Sequence, residues 1–173
     1  MEHPGTRNIA AVPAALAACA ALLGWLLALG HSPGRPDSRI VGVAIGKSGS
    51  WLAAGTADGR VAIWNPGGVP RPVPIRIGYG ALNDLRFSPD ERWLAIANRG
   101  LTLLRVDRPN APVVLRDDGA NYAAVSFSPD GETILTIDGS GNIEALDAST
   151  RKTVHRVCCS TIAGAVAFSP DGL

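Results

Sequence analysis

Four stretches hold residue types that could do chemistry. His155, Cys158 and Cys159 form HRVCC at 155–159. Imidazole and thiolates bind zinc, but a tetrahedral site takes four ligands in paired spacing, and no second such cluster occurs in the chain. Adjacent cysteines also make a poor disulfide, because the bridge geometry wants separated backbones. The segment therefore reads as a strand and its following loop. GVAIGKSGS, Gly42–Ser50, approaches a phosphate-binding loop, yet that loop needs four residues between its glycines and Gly42 and Gly46 have three between them. A helix should follow to present its N-terminus to phosphate; here a strand and a turn are expected. Asp138–Asn142, DGSGN, offers several oxygens but lacks the alternating acidic ligands of a calcium loop. Finally, Asp90, Asp130 and Asp171 recur in the same context, which points to a shared turn and away from separate catalytic roles. No Gly-x-Ser-x-Gly elbow is present. These residues give no catalytic group, no metal ligand and no cofactor.

The elements that would carry them are set by a repeat. FSPD stands at Phe87, Ser88, Pro89, Asp90; FSPDG stands at Phe127, Ser128, Pro129, Asp130, Gly131 and again at Phe168, Ser169, Pro170, Asp171, Gly172. The phenylalanines are spaced 40 and 41 residues apart, and a degenerate earlier copy places Ile45 at 42 residues before Phe87. Apolar side chains alternate ahead of each motif (Val41, Val43, Ile45; Leu85, Phe87; Ala123, Val125, Phe127; Val166, Phe168), which predicts a strand with that face buried. Pro presets a turn angle, Asp bonds nearby amides and Gly accepts positive φ, so each motif is a hairpin. A second strand is expected at 51–54, 93–97 and 133–137, and a third at 61–64, 101–105 and 143–146. A fourth is expected at 73–77, 113–116 and 153–157. Turns at Ala57-Asp58-Gly59, Asn98-Arg99-Gly100 and Gly139–Asn142 join the second to the third.

Four short strands per ~40 residues, with a Trp-Asp-like end, are the mark of a propeller blade. The copies resemble the WD-repeat family of β-propellers. Trp64-Asn65 stands where that family has Trp-Asp, and Asp58, followed by Gly59, sits where the family has its structural aspartate. No Gly-His dipeptide opens a repeat, and Val106-Asp107 and Leu146-Asp147 stand in for Trp-Asp in the later copies. The string 128–154 also resembles surface-layer and lactonase-like propellers, and the FSPDG emphasis resembles Tol-type periplasmic propellers. The fold expected is all-β: four-stranded antiparallel blades, three and a stub, over residues 40–173. Propellers close with about 4–8 blades, so the sequence reads as part of a longer propeller, with oligomeric completion of the ring as the alternative.

The chain has 173 residues, 16 Lys and Arg against 15 Asp and Glu, a net charge of +1, 20 glycines, 13 prolines and three cysteines. Near-neutrality gives no basic face for nucleic acid. Turn-forming residues in this abundance argue against a helical bundle, and three cysteines make no disulfide framework. Residues 1–8 form a tail. Ile9–Gly30 carries no charge, and its 22 residues at ~1.5 Å rise match a ~30 Å bilayer core. The segment reads as a membrane anchor. The alternatives are a signal peptide cleaved after Ala28-Leu29-Gly30 and a buried helix; Cys19 within it is a small apolar residue. Residues 31–39 read as a linker. The propeller is expected outside the cytoplasm, either anchored or released to the periplasm or medium.

Three functions follow from the resemblance. The first is a membrane-tethered protein-interaction scaffold without catalysis, its partner contacting inter-blade loops such as 65–71 and 107–111. The second is part of a lactonase-like or peptidase-associated propeller enzyme. The third is a Tol-like envelope accessory protein. Fold alone does not choose among them.

Overall fold

The computed structural model describes residues 39–65, 75–78, 80–158, 164–169 and 171–172. The Ile9–Gly30 segment and most of the 31–39 linker lie outside the described residues. Among the described residues no helix is long and apolar enough to cross a membrane.

Twelve strands are described: β1 (Ile40–Ile45), β2 (Leu52–Thr56), β3 (Arg60–Trp64), β4 (Ile75–Arg76), β5 (Asp84–Phe87), β6 (Trp93–Ala97), β7 (Leu101–Arg105), β8 (Arg108–Arg116), β9 (Tyr122–Phe127), β10 (Thr133–Asp138), β11 (Asn142–Asp147) and β12 (Thr153–Cys158). They form three four-stranded antiparallel sheets in simple sequence order, β1 to β4, β5 to β8 and β9 to β12. We call these blades 1, 2 and 3. The expected strands are present with small changes of length, with three exceptions: the 73–77 strand is described only as Ile75–Arg76, the 113–116 strand extends back to Arg108, and the described residues 164–169, expected as a strand around Val166 and Phe168, are not in one. The first strands of the blades lie side by side, β1 against β5 and β5 against β9. They are therefore the inner strands, and β4, β8 and β12 are the outer ones.

The core lies between blades. Leu85, Leu94, Ile96 and Leu104 of blade 2 pack on Ala44, Ala53 and Val61 of blade 1, with Ile77 and Leu82 from the connection. Val125, Ile134 and Leu146 of blade 3 pack on Ala95, Ala97 and Leu103 of blade 2. Alanines on one blade (Ala44 and Ala53, then Ala95 and Ala97) meet larger side chains on the next, which lets the sheets approach closely. Each fully buried Leu or Ile contributes roughly 1.5–3 kcal/mol.

Two expectations are corrected. The Val41, Val43, Ile45 face, read as buried, is 39%, 54% and 65% exposed. The equivalent Leu85 and Val125 are buried because a preceding blade covers them. The face of β1 with these valines points away from blade 2. Residues 107–111, read as an inter-blade loop, instead form a tight turn at Val106-Asp107 and the start of β8, with Arg105 paired to Arg108. Asp107 closes that turn by accepting from Arg105 Nε and Nη2 at 2.9 and 2.8 Å. Of the other expected contact loop, 65–71, only Asn65 is among the described residues.

Candidate functional site

Each recurring polar residue has a defined place in the hairpins. In blade 2, Ser88 Oγ donates to Asp90 Oδ1 at 2.6 Å and accepts from Trp93 N–H at 3.0 Å. Asp90 Oδ1 also accepts from Arg92 N–H at 3.1 Å. Blade 3 repeats the arrangement: Ser128 Oγ donates to Asp130 Oδ1 at 2.5 Å, Thr133 N–H donates to Ser128 and Glu132 N–H to Asp130, both at 2.9 Å. Gly131 supplies φ 78° at the turn. The fourth copy makes the same turn without strands, with Gly172 N–H donating to Ser169 C=O at 3.0 Å and φ 77°. Successive hairpins stack. A Cβ on Gly131 would touch Pro89 at 3.5 Å, and one on Gly172 would touch Pro129 at 3.6 Å. Phe87, Phe127 and Phe168 are half-buried beside them, and Pro170 lies outside the described residues.

The second turns use related chemistry. Thr56 Oγ1 donates to Asp58 Oδ1 and accepts from Arg60 N–H at 3.1 Å, with Gly59 at φ 78°. Asp138 accepts from the N–H of Ser140 and Asn142 at 2.8 and 2.9 Å and from Asn142 Nδ2 at 2.7 Å. Its oxygens are thus occupied by the DGSGN turn. The GKSGS segment is the β1–β2 hairpin, with Gly46 N–H donating to Trp51 C=O at 2.9 Å. Cys158 is an exposed thiol at the end of β12, and Cys159 lies outside the described residues. Among the described residues no group of three His, Cys, Asp or Glu side chains could hold a metal.

The carboxyls report this bonding. For Asp90, burial raises the pKa, but the Ser88 hydroxyl and Arg92 outweigh it and hold the group below its ordinary value. Asp130 is lowered first by the Ser128 hydroxyl and then by the Glu132 N–H. Asp147 is lowered furthest, to about 2, by the Thr150 N–H, the Ser149 hydroxyl and the Thr150 hydroxyl.

Several inter-blade contacts carry no local signal in the sequence. Glu91 stands where the other complete copies have glycine, at φ 58°. Its carboxylate accepts from the Ser48 N–H and, at 2.6 Å, from the Ser48 hydroxyl, joining the hairpins of blades 1 and 2. Arg116 of β8 donates from Nη2 and Nε to the buried Glu144 of β11 at 2.9 and 3.1 Å. Thr153 donates to the same carboxylate and accepts from Arg116 at 2.7 Å. Burial raises the Glu144 pKa, and these partners bring it below the ordinary value. The pair also pushes Arg116 up. Tyr122 is raised by burial and by its hydrogen bond to Asp118 at 3.0 Å. Asp84 accepts from Val125 N–H across the blade 2–3 boundary at 3.2 Å, and Asn83 Nδ2 donates to Tyr122 C=O at 2.8 Å.

The Trp-Asp positions are resolved by register. Trp64 pairs with Leu52 and Leu146 with Ile134; in blade 2 the partner of Leu94 is Leu104. Leu104-Arg105, and not Val106-Asp107, is therefore the blade 2 equivalent of Trp64-Asn65. Pairing ends at Gly55–Val61 and Ile137–Ile143 but runs to Ala97–Leu101, so blade 2 has the shorter loop and the constant offset fails there. Trp64 itself is buried, on the face of blade 1 with Leu52, Ala54 and Ala62.

The described residues also form an open recess of about 380 Å³ at the hairpin end of the inner strands, where all four copies of the repeat contribute. Its lining includes Lys47, Arg86 and the three motif phenylalanines.

Comparisons with known proteins agree with this architecture. Residues 26–65 match the family model described as WD domain, G-beta repeat; that match ends on Trp64-Asn65. An uncharacterized WD repeat-containing protein of Synechocystis is 32% identical over 136 residues, covering 77% of this chain and 39% of the relative. Protein tipD of Dictyostelium discoideum is 32% identical over 120 residues, covering 65% of this chain and 20% of the relative. The crystal structure of the beta-propeller domain of Cps50 (Swd1) from Myceliophteria thermophila superposes with a TM-score of 0.67 at 17% identity, covering 78% of this chain and 46% of that one. The chain thus spans less than half the length of these relatives. Together, the matched repeat and the three stacked four-stranded sheets support the WD40 repeat family and the β-propeller fold for this chain.

Proposed function

We propose that this chain is a membrane-tethered propeller scaffold that binds a protein partner and does no catalysis of its own. The observation that carries the reading is where the polar side chains go. Ser88, Asp90, Ser128, Asp130, Asp58 and Asp138 are engaged in turns. What remains variable from blade to blade is the rim, and a rigid disc with a variable rim suits protein recognition. Near-neutral charge argues for protein over nucleic acid.

Tethering rests on the uncharged run Ile9–Gly30, with 1–8 as a tail, 31–39 as a linker and 40–173 as the propeller, outside the cytoplasm. The matched repeat begins at residue 26, inside that run. Residues 26–30 are thus claimed by both readings, and a helix confined to 9–25 would stand at the low end of the ~17–25 residues that span a bilayer core.

The test is chemical cross-linking of the full chain in its native membranes, followed by mass spectrometry and carbonate extraction. The reading expects the chain in the extracted membrane pellet and cross-links from one partner landing on loops between strands. A chain released by carbonate overturns the tether. Turnover of lactone or peptide substrates by the purified chain overturns the scaffold.

A further inference from the structure

Two cations break the repeat at one place. Lys47 stands where later copies have Pro89 and Pro129, and Arg86 stands where other copies have Ala44, Ser126 and Ala167. The turn is served by proline at the first position and the inner strand by a small side chain at the second. Neither charge is required by the hairpin, since the copies without them fold the same way. Both cations nevertheless line the same ~380 Å³ recess, beside Ile45, Phe87, Phe127 and Phe168.

The two cations differ in pairing: Arg86 has one ion-pair partner and Lys47 has none among the described residues. Arg86 is half-exposed and makes a single 3.4 Å contact with Asp84. Asp84 is itself occupied, accepting from the N–H groups of Leu85 and Val125 at 2.9 and 3.2 Å. Lys47 has no salt-bridge partner among the described residues. Glu91, Asp90 and Asp130 on the same hairpins keep their charge but are fixed in place by the hydroxyls of Ser48, Ser88 and Ser128, and none of them pairs with Lys47 or Arg86. The recess thus combines Ile45, two prolines and the three phenylalanines with four serines and two cationic groups. Apolar walls lower the local dielectric and strengthen an ion pair formed there.

We infer that this recess docks a short acidic segment of a protein partner, with carboxylates on Lys47 and Arg86 and an apolar side chain among the phenylalanines. The inference rests on the scaffold reading above and adds the face and the chemistry of the partner.

The test is fluorescence polarisation with the full chain and a labelled peptide of alternating glutamate and leucine, beside the same peptide with lysine for glutamate. The acidic peptide should bind, and binding should weaken with added salt. Lys47→Glu with Arg86→Glu should weaken it about tenfold or more. Lys47→Met with Arg86→Met keeps the stems' packing and should weaken it several-fold; it carries the test if charge reversal disturbs the near-ultraviolet circular dichroism. Equal binding of the two peptides overturns the inference, as does unchanged affinity in the methionine pair. A single-stranded oligonucleotide that displaces the peptide equally well overturns the assignment to peptide. A partner whose cross-links fall on another face overturns this inference and leaves the scaffold reading standing.

Discussion

A serine or threonine hydroxyl paired with an aspartate two residues on closes three of these turns, at Ser88, Ser128 and Thr56. The hydroxyl accepts from one amide and donates to the carboxylate, which in the two FSPD hairpins accepts from a second amide. Ser128→Ala should therefore cost about 1 kcal/mol in urea unfolding, while the half-exposed Ser126, which makes only a 3.5 Å contact with its neighbour's carbonyl, should tolerate alanine. The same bonding sets a pH dependence. The folded pKa values of Asp90, Asp130, Asp138 and Asp147 lie below the ordinary 3.8. Their contribution is complete above that value and is lost as pH falls through the folded values, which for Asp147 means down to about 2. Melting temperature should be level near neutrality and fall in this acid window, less steeply in Asp147→Ala. Glu91 adds a contrast. Its left-handed backbone costs roughly 1 kcal/mol, and its carboxylate holds Ser48. Glu91→Gly relieves the strain as it loses the contact, so it should unfold at higher urea than Glu91→Ala, which loses the contact and keeps the strain. The aspartate–amide bonds and the glycine turns were legible because their partners lie within five residues, whereas the hydroxyl that bridges amide and carboxylate was missed. The Glu91–Ser48 contact spans 43 residues and left only one trace, a glutamate where the repeat wants glycine.

At the scale of elements, strands and hairpins follow from alternation and turn residues, which is why β6 and β7 fall where the pattern puts them. Pattern failed where side chains from another position decide. Asp107 reads as loop, but two bonds from Arg105 fold it into a tight turn and extend β8 back to Arg108. The blade 2 loop is shorter, and the Trp-Asp alignment slipped with it. Between elements the Arg116–Glu144 pair joins β8 to β11, with the carboxylate buried and the guanidinium partly so. Arg116→Met leaves that carboxylate without its main partner and should cost about 2–3 kcal/mol, below the full buried-pair penalty because Arg116 is partly solvated. Adding Glu144→Leu should recover most of the loss in the same chemical denaturation series. Gly59 is a second inter-element point: a Cβ there would lie 2.6 Å from the Gly80 carbonyl oxygen, at φ 78°. Gly59→Ala should therefore destabilise more than Gly49→Ala, which has the same backbone strain but open space.

At the scale of the molecule, the recurrence of one motif at ~40 residues was enough to read an all-β propeller, because a blade cannot bury its faces alone. Which faces are covered was not legible: the valines of β1 carry the same pattern as Leu85 and Val125, and among the described residues another blade lies on that face of β5 and β9 but not of β1. Among the described residues only blade 2 is packed on both sides, so in this 173-residue chain it should be the most stable unit, and β12, exposed along its whole length, the least. Hydrogen exchange followed by mass spectrometry on the full chain tests this stacking most directly. The account predicts slowest exchange in β6 and β7, faster exchange in blade 3 and fastest in β12. Equal protection of all three blades, or β12 exchanging as slowly as β6, would contradict it.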